Sequence, residues 1–146
     1  SRFSLLLMPT RLPKRRELKK RKKMSRPKNN FKTSKIYNSK HLESVVKSNI
    51  ESKQNSYYLI TNSWDKACNY FNDRLPTEGD VYLNVVDIFN VPNALDVFRS
   101  SIKAHKETIS TSCLSQYEQL PMLVVIHKSF PRVVSYNGSV GAEIGI

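Results

Sequence analysis

Residues 57–68 read Tyr-Tyr-Leu-Ile-Thr-Asn-Ser-Trp-Asp-Lys-Ala-Cys, an apolar run followed by a polar turn. The run over 57–61 is rich in aromatic and β-branched residues, which predicts a buried strand. Residues 66–74 then predict a short helix that ends before Pro76, because proline disfavours helical backbone in the residue preceding it. The stretch therefore predicts a strand that feeds a helix through a turn, with a tryptophan and a cysteine four residues apart.

The segments on either side of this stretch continue the alternation of helices and strands. A nearly continuous apolar run over 81–88 is typical of a strand buried on both faces. In chain order the predicted elements are a helix over 40–52 with Ser39 as its N-cap, the strand 57–61, the helix 66–74, the strand 81–88, a helix over 94–105 and two strands over 122–126 and 132–136. This order predicts an α/β domain over residues 39–146, with a mixed sheet whose parallel first half closes with an antiparallel hairpin. No helix is predicted after the last strand, so a neighbouring molecule is expected to cover one face of the sheet.

The positive charge is confined to the start of the chain. Residues 1–35 contain 14 lysines and arginines against one acid, Glu17, whereas the other 111 residues carry a net charge of −1. Like charges at this density repel one another, so the segment is predicted to be extended and without a core of its own. Residues 24–37 continue as a polar linker. We therefore predict a basic N-terminal arm over residues 1–38, followed by the α/β domain.

The composition excludes several classes of protein. Two cysteines, Cys68 and Cys113, cannot form a disulfide-rich scaffold; they are predicted to be reduced, although a bridge between them stays open. Neither a metal-ligand spacing nor a glycine-rich phosphate loop is present, so no metal and no cofactor are predicted. No apolar run approaches the ~20 residues that cross a bilayer, so the protein is not expected to span a membrane.

Three local motifs, in this order, resemble the thioredoxin superfamily. Residues 64–68, Trp-Asp-Lys-Ala-Cys, stand at the strand-to-helix turn where that family carries Trp-Cys-x-x-Cys. Residues 86–92, Val-Asp-Ile-Phe-Asn-Val-Pro, resemble the end of its central strand and the start of the next helix. Leu120-Pro121 before an apolar strand resembles its cis-proline, which faces the turn. The resemblance implies a thioredoxin-like three-layer fold over about 100 residues.

The departures from the family imply that this chain is redox-inactive. The attacking thiol is replaced by Asp65, and a carboxylate cannot exchange with a disulfide. Asp at this position is also found in the thioredoxin-like subunit of the spliceosome, to whose motif this one is similar. The resemblance thus implies a vestigial redox site made of Trp64, Asp65, Cys68 and Pro121, with no catalytic residue.

The basic arm is the strongest functional signal in the sequence. Lysine and arginine contacts to phosphates release counterions, and they bind RNA without reading its sequence. The predicted RNA-binding residues are Arg11, Lys14, Arg15, Arg16, Lys19, Lys20, Arg21, Lys22, Lys23, Arg26 and Lys28.

Together these features predict a structural, non-catalytic subunit of a ribonucleoprotein. The interpretation favoured is a mitochondrial ribosomal protein of the matrix, with rRNA and neighbouring ribosomal proteins as partners and no small-molecule substrate. Three alternatives stay open. These are a nuclear, spliceosomal thioredoxin-like subunit, an accessory subunit of a respiratory or ATP synthase complex, and a monothiol oxidoreductase that uses Cys68.

Overall fold

The computed structural model describes residues 30–105, 109–117, 119–127 and 132–146. The predicted arm up to residue 29 lies outside the described residues. The described chain forms the following elements: β1 (Phe31–Ile36), α1 (Ser39–Glu51), β2 (Ser56–Thr61), α2 (Lys66–Asn72), β3 (Val81–Asp87), α3 (Ala94–His105), a 3₁₀ turn (Ser112–Leu114), β4 (Met122–His127), β5 (Arg132–Tyr136) and α4 (Val140–Ile144).

The strands form one mixed sheet in the order β1-β3-β2-β4-β5. Strands β1, β2 and β3 are parallel, because each is linked to the next through a helix, and the β4–β5 hairpin closes the sheet in antiparallel pairing. The pairing of β2 with β4 sets Ile60 opposite Met122. The predicted α/β class with a mixed sheet is confirmed, and its element order is compatible with a thioredoxin-like fold.

Helices cover the sheet on both faces, which gives two hydrophobic cores and three layers. The larger core lies under α1 and α3, where Leu42, Phe98 and Ile102 pack against Tyr58 and Val86 of the sheet. The smaller core lies on the other face, under α2 and α4; its buried residues are Phe31, Leu59, Leu83, Leu123, Val125, Val140 and Ile144. Alternate side chains of each central strand therefore enter opposite cores, as the pleat requires.

Strand β1 differs from the sequence-based expectation of a polar linker over residues 24–37. Phe31 and Ile36 are both 2% exposed, and they enter the two different cores. Their odd spacing places them on opposite faces of a strand, and four polar residues separate them. This pattern has no hydrophobic alternation, so the strand is defined by its pairing with β3 and not by its own sequence. The sheet therefore begins at Phe31, within the segment assigned to the arm.

The expectation that no helix follows the last strand is wrong. Residues 140–144 form α4, whose Val140 and Ile144 are buried in the smaller core. The helix has five residues and ends at Gly145, whose φ of +82° suits a residue without a Cβ. A single turn is too short to leave a helical periodicity in the sequence. The face expected to need a neighbour is covered by the chain itself.

Helix α1 begins one residue earlier than predicted, because its N-cap is Asn38 and not Ser39. The Asn38 side-chain oxygen accepts a hydrogen bond from the His41 backbone N–H at 2.8 Å. The Ser39 hydroxyl instead donates to Asn93 Oδ1 at 2.7 Å. This bond joins the beginning of α1 to the residue just before α3, at the carboxyl edge of the parallel strands.

A close backbone approach at Gly79 gives the first prediction. A Cβ at this position would lie 2.2 Å from the Asn30 carbonyl oxygen and 2.5 Å from the Phe31 carbonyl carbon. Because both obstacles are backbone atoms, Gly79→Ala should lower the free energy of unfolding by about 1–3 kcal/mol, measured by urea denaturation. Gly138→Ala is the matched control, since nothing lies within 4 Å of its Cβ position. Equal stability of the two variants would contradict the prediction.

Candidate functional site

The side chains of Asn62 and Asp65 hold the turn between β2 and α2. Asn62 Oδ1 accepts from the Trp64 N–H at 3.0 Å, and the Asn62 carbonyl accepts from the Asp65 N–H at 3.0 Å. Asp65 is then the N-cap of α2, with its carboxylate accepting from the Ala67 N–H at 2.9 Å. Asp65 therefore has a clear local role. It satisfies a backbone donor at the start of the helix.

Cys68 lies in the first turn of α2 and is fully buried, with 0% exposure. Reactive cysteines are partly exposed and sit beside positive charge or a helix N-terminus. The Cys68 thiol is closed off from a disulfide substrate in this conformation. The turn therefore presents a carboxylate at position 65 and a buried thiol at position 68.

Pro121 adjoins this turn across the sheet. The Leu120–Pro121 peptide bond is cis, which agrees with the predicted likeness to the family's cis-proline. Extending the register that pairs Ile60 with Met122 places Pro121 level with Thr61, the last residue of β2. The fold thus brings Pro121 to the strand end from which the turn with Trp64 begins.

Three exposed aromatic side chains stand at the carboxyl edge of the parallel strands. Trp64 is 77% exposed and Phe89 is 62% exposed, with ring centroids 5.7 Å apart. Tyr37, just after β1, is 68% exposed and stacks on His41. Large aromatic side chains exposed together are typical of surfaces that contact other macromolecules. This aromatic edge, defined as Tyr37, Trp64 and Phe89, is the most exposed apolar feature of the described chain.

Asp87 joins two of the turns that carry these aromatics. Its Oδ1 accepts from the Ser63 N–H at 3.1 Å and from the Phe89 N–H at 3.0 Å. A cleft of about 480 Å³ opens beside it, with Thr61, Asn72 and Asp73 among its lining residues. The crevice at the carboxyl ends of parallel strands is the common binding position in α/β folds. The carboxylate thus holds the turns that carry Trp64 and Phe89 in place beside this cleft.

Sequence reasoning named Trp64 but missed the other residues of this edge. Phe89 directly follows the predicted strand over 81–88, and an aromatic residue just past a strand end was a signal available from the sequence. Tyr37 follows the apolar residues Phe31 and Ile36 along an extended segment, but no strand was predicted there, so no strand end marked it. Ser63, whose N–H donates to Asp87, is 24 residues away in the chain, so only the fold shows that contact.

Cys113 lies away from the turn, in the 3₁₀ segment that packs near β5. Its thiol donates to the Val133 carbonyl oxygen at 3.5 Å, and burial raises the pKa of the Cys113 thiol. A raised pKa keeps the thiol protonated and unreactive at neutral pH. Cys68 and Cys113 are both free, so the bridge that the sequence left open is not formed.

Two further properties concern the described residues only. Within residues 30–105, 109–117, 119–127 and 132–146, no cluster of three or more histidine, cysteine or acidic side chains could hold a metal ion. No helix in those same ranges has the length and apolarity needed to cross a membrane. The predicted RNA-binding residues, from Arg11 to Lys28, all lie outside them.

Comparison with protein-family profiles and with curated protein sequences found no match to this chain.

A test of the turn follows from the spacing of residues 65 and 68. Positions three apart at the start of a helix are close enough for a disulfide, so Asp65→Cys should allow a bridge to Cys68. After mild oxidation with glutathione disulfide, thiol titration in denaturant should find one free thiol, that of Cys113, against two in the wild type. Asp65→Ser, which keeps a capping oxygen, should still show two thiols. Three titratable thiols in Asp65→Cys would contradict a thioredoxin-type turn.

Proposed function

We propose that this protein is a structural, non-catalytic subunit of the mitochondrial ribosome, whose basic arm contacts rRNA while its domain packs among neighbouring proteins. The observation that carries the proposal is the division of charge along the chain. A net charge of +13 over residues 1–35 stands next to a near-neutral remainder. Such a division suits an arm that binds phosphates and a domain that binds protein.

The same proposal makes the domain a redox-inactive member of the thioredoxin superfamily. The supporting features are the strand order, the cis bond before Pro121 and the turn with Trp64, Asp65 and buried Cys68. A thioredoxin-like fold hosts many functions, so the assignment to a ribosome is an analogy at the level of the fold, added to the charge argument.

The aromatic edge supports the second half of the proposal. Trp64, Phe89 and Tyr37 offer apolar area on short, rigid turns, which is typical of the residues that contribute most to protein interfaces. In the proposed subunit, a neighbouring ribosomal protein covers this edge, and the basic arm extends to RNA. Catalysis is not required of either part.

The test is sedimentation of the native protein from whole-cell and mitochondrial lysates through a density gradient at rising salt, with RNase-treated lysate alongside. We expect the protein to travel with a ribosome-sized mitochondrial particle and to be released by RNase. Migration with a nuclear ribonucleoprotein would favour a spliceosomal subunit instead. Migration with an RNase-insensitive membrane complex, or as free protein, would overturn the proposal.

A further inference from the structure

A second cleft lies at the opposite end of the sheet from the aromatic edge. It has a volume of about 390 Å³ and lies between the last turn of α1, the loop at 54–55 and the first residues of β2 and β3. Ligand-binding clefts begin at roughly 300 Å³, so this one is large enough for a single small group. The cleft is called the amide cleft below, after the side chains that line it.

Four carboxamides line the amide cleft, namely Asn49, Gln54, Asn55 and Asn84. Two of them are held in place by the fold. Asn49 Nδ2 donates to the Tyr58 hydroxyl at 3.0 Å, and Asn84 Nδ2 donates to the Tyr57 carbonyl oxygen at 3.1 Å. Carboxamides carry a donor and an acceptor side by side, which matches the hydrogen-bonding edge of a nucleobase. A cleft lined by four carboxamides therefore favours a ligand with such an edge.

An exposed aromatic ring stands at the mouth of the amide cleft. Tyr82 is 56% exposed, and the Lys32 ammonium lies 4.8 Å from its ring centroid. The two residues pair directly across β1 and β3. Proteins that bind single-stranded nucleic acid often pair an exposed aromatic ring with a nearby cation. An unpaired base stacks on the ring, and the cation contacts the phosphate.

The end of the basic arm is fixed at the same place. The Asn30 carbonyl oxygen accepts from the N–H groups of Asp80 and Val81, at 2.8 and 3.0 Å, and both of these residues line the cleft. Asn30 follows Lys28 by two residues in the sequence, so the described domain begins beside the amide cleft.

We infer that the amide cleft binds one unstacked nucleobase of single-stranded RNA, with Tyr82 stacking on the base and the carboxamides bonding its edge. Bases splayed out of single strands are recognised in this way by other folds. The Asp80 carboxylate in the lining disfavours a phosphate inside the cleft, so the base is the group that fits there. The inference rests on the proposed function, because the arm must first bring RNA to the domain.

The test measures binding of the full-length chain to two fluorescent probes by anisotropy. One probe is a ten-nucleotide oligoadenylate, and the other is an abasic ribose-phosphate chain of the same length and charge. Tyr82→Ala should weaken binding of the oligoadenylate by roughly 5- to 150-fold and leave the abasic probe unchanged, because stacking is lost and phosphate contacts are kept. Tyr70→Ala is the matched control. Tyr70 is also 56% exposed and also lies under a cation, Arg74, but it does not line the cleft.

The outcomes separate this inference from the proposed function. If both probes bind through the arm and Tyr82→Ala changes neither, the cleft inference fails while RNA binding stands. If neither probe binds the wild-type chain, the proposed function fails as well. If Tyr82→Ala leaves RNA affinity unchanged but reduces recovery of the protein with its particle, the cleft binds a protein segment and the inference is overturned.

A second measurement on the unmodified protein keeps the test independent of variant folding. Oligoadenylate carrying one 4-thiouridine should crosslink to peptides that contain Tyr82 or Gln54, as read by mass spectrometry. Crosslinks confined to residues 1–29 would overturn the inference.

Discussion

Replacing the five basic residues at 19–23 with glutamine should weaken binding of the full-length chain to structured RNA by roughly 3,000-fold or more at 0.1 M salt. Each lost phosphate contact reduces the steepness of log affinity against log salt concentration by about 0.7–0.9. At 0.1 M salt, the loss of one contact therefore lowers the affinity about fivefold or more. The slope should therefore become shallower by about 3.5–4.5. Filter binding or anisotropy over a range of salt concentrations measures both quantities.

A control variant with the same change in net charge separates local contacts from overall attraction. Its five exposed basic residues lie on the described domain, and all are changed to glutamine: Lys40, Lys53, Lys66, Lys103 and Arg132. We expect this variant to keep most of its RNA affinity and nearly all of its salt slope. If both variants lose the same affinity, the arm has no special role and net charge alone drives binding.

Phe98→Ala should have the largest effect on stability, lowering the free energy of unfolding by about 3–5 kcal/mol. Phe98 is 0% exposed in the core under α3, and its ring meets that of Tyr58 edge to face, with centroids 5.0 Å apart. Its truncation removes apolar contacts from both α3 and the central strand β2 and leaves a cavity between them. Native domains are stable by only about 5–15 kcal/mol, so a large share of the stability is lost. Urea denaturation followed by Trp64 fluorescence and by circular dichroism measures the change.

Phe89→Ala is the control for this prediction. Phe89 is 62% exposed, so its truncation should change the free energy of unfolding by no more than about 0.5 kcal/mol. A loss in Phe89→Ala as large as in Phe98→Ala would show that the two cores do not govern stability as described. Because Phe89→Ala is expected to fold normally, it also tests the aromatic edge. In the proposed subunit it should be recovered with the particle less well than the wild type.

The strands and helices around residues 57–68 were predictable because their signals are local. The apolar run before Trp64, the proline at 76 and the continuous run over 81–88 each specify an element within a few residues. The order of these elements restricts the chain to an α/β sheet with parallel strands first. Most of the domain therefore follows from the sequence once the periodicity is read.

The candidate site was predictable only in part. Trp64, Asp65, Cys68 and Pro121 could be chosen because they resemble a known motif. The Asp65 cap also follows a local preference for aspartate at helix starts. The pairing of Trp64 with Phe89 and the bridging role of Asp87 could not be predicted, since both depend on how β2 and β3 lie side by side.

By itself, the sequence determined the α/β class, the concentration of positive charge in the first 35 residues and the presence of Asp65, not a second cysteine, three residues before Cys68, because composition and local pattern carry all three. Only the tertiary structure decided that residues 31–36 complete the sheet, that 140–144 cover its second face, and that Tyr82 and four carboxamides line one cleft. The physical reason is that β1 and α4 are too short or too polar to be stable alone. Strand β1 forms because β3 offers it a partner, and α4 forms because the sheet offers it an apolar face to cover.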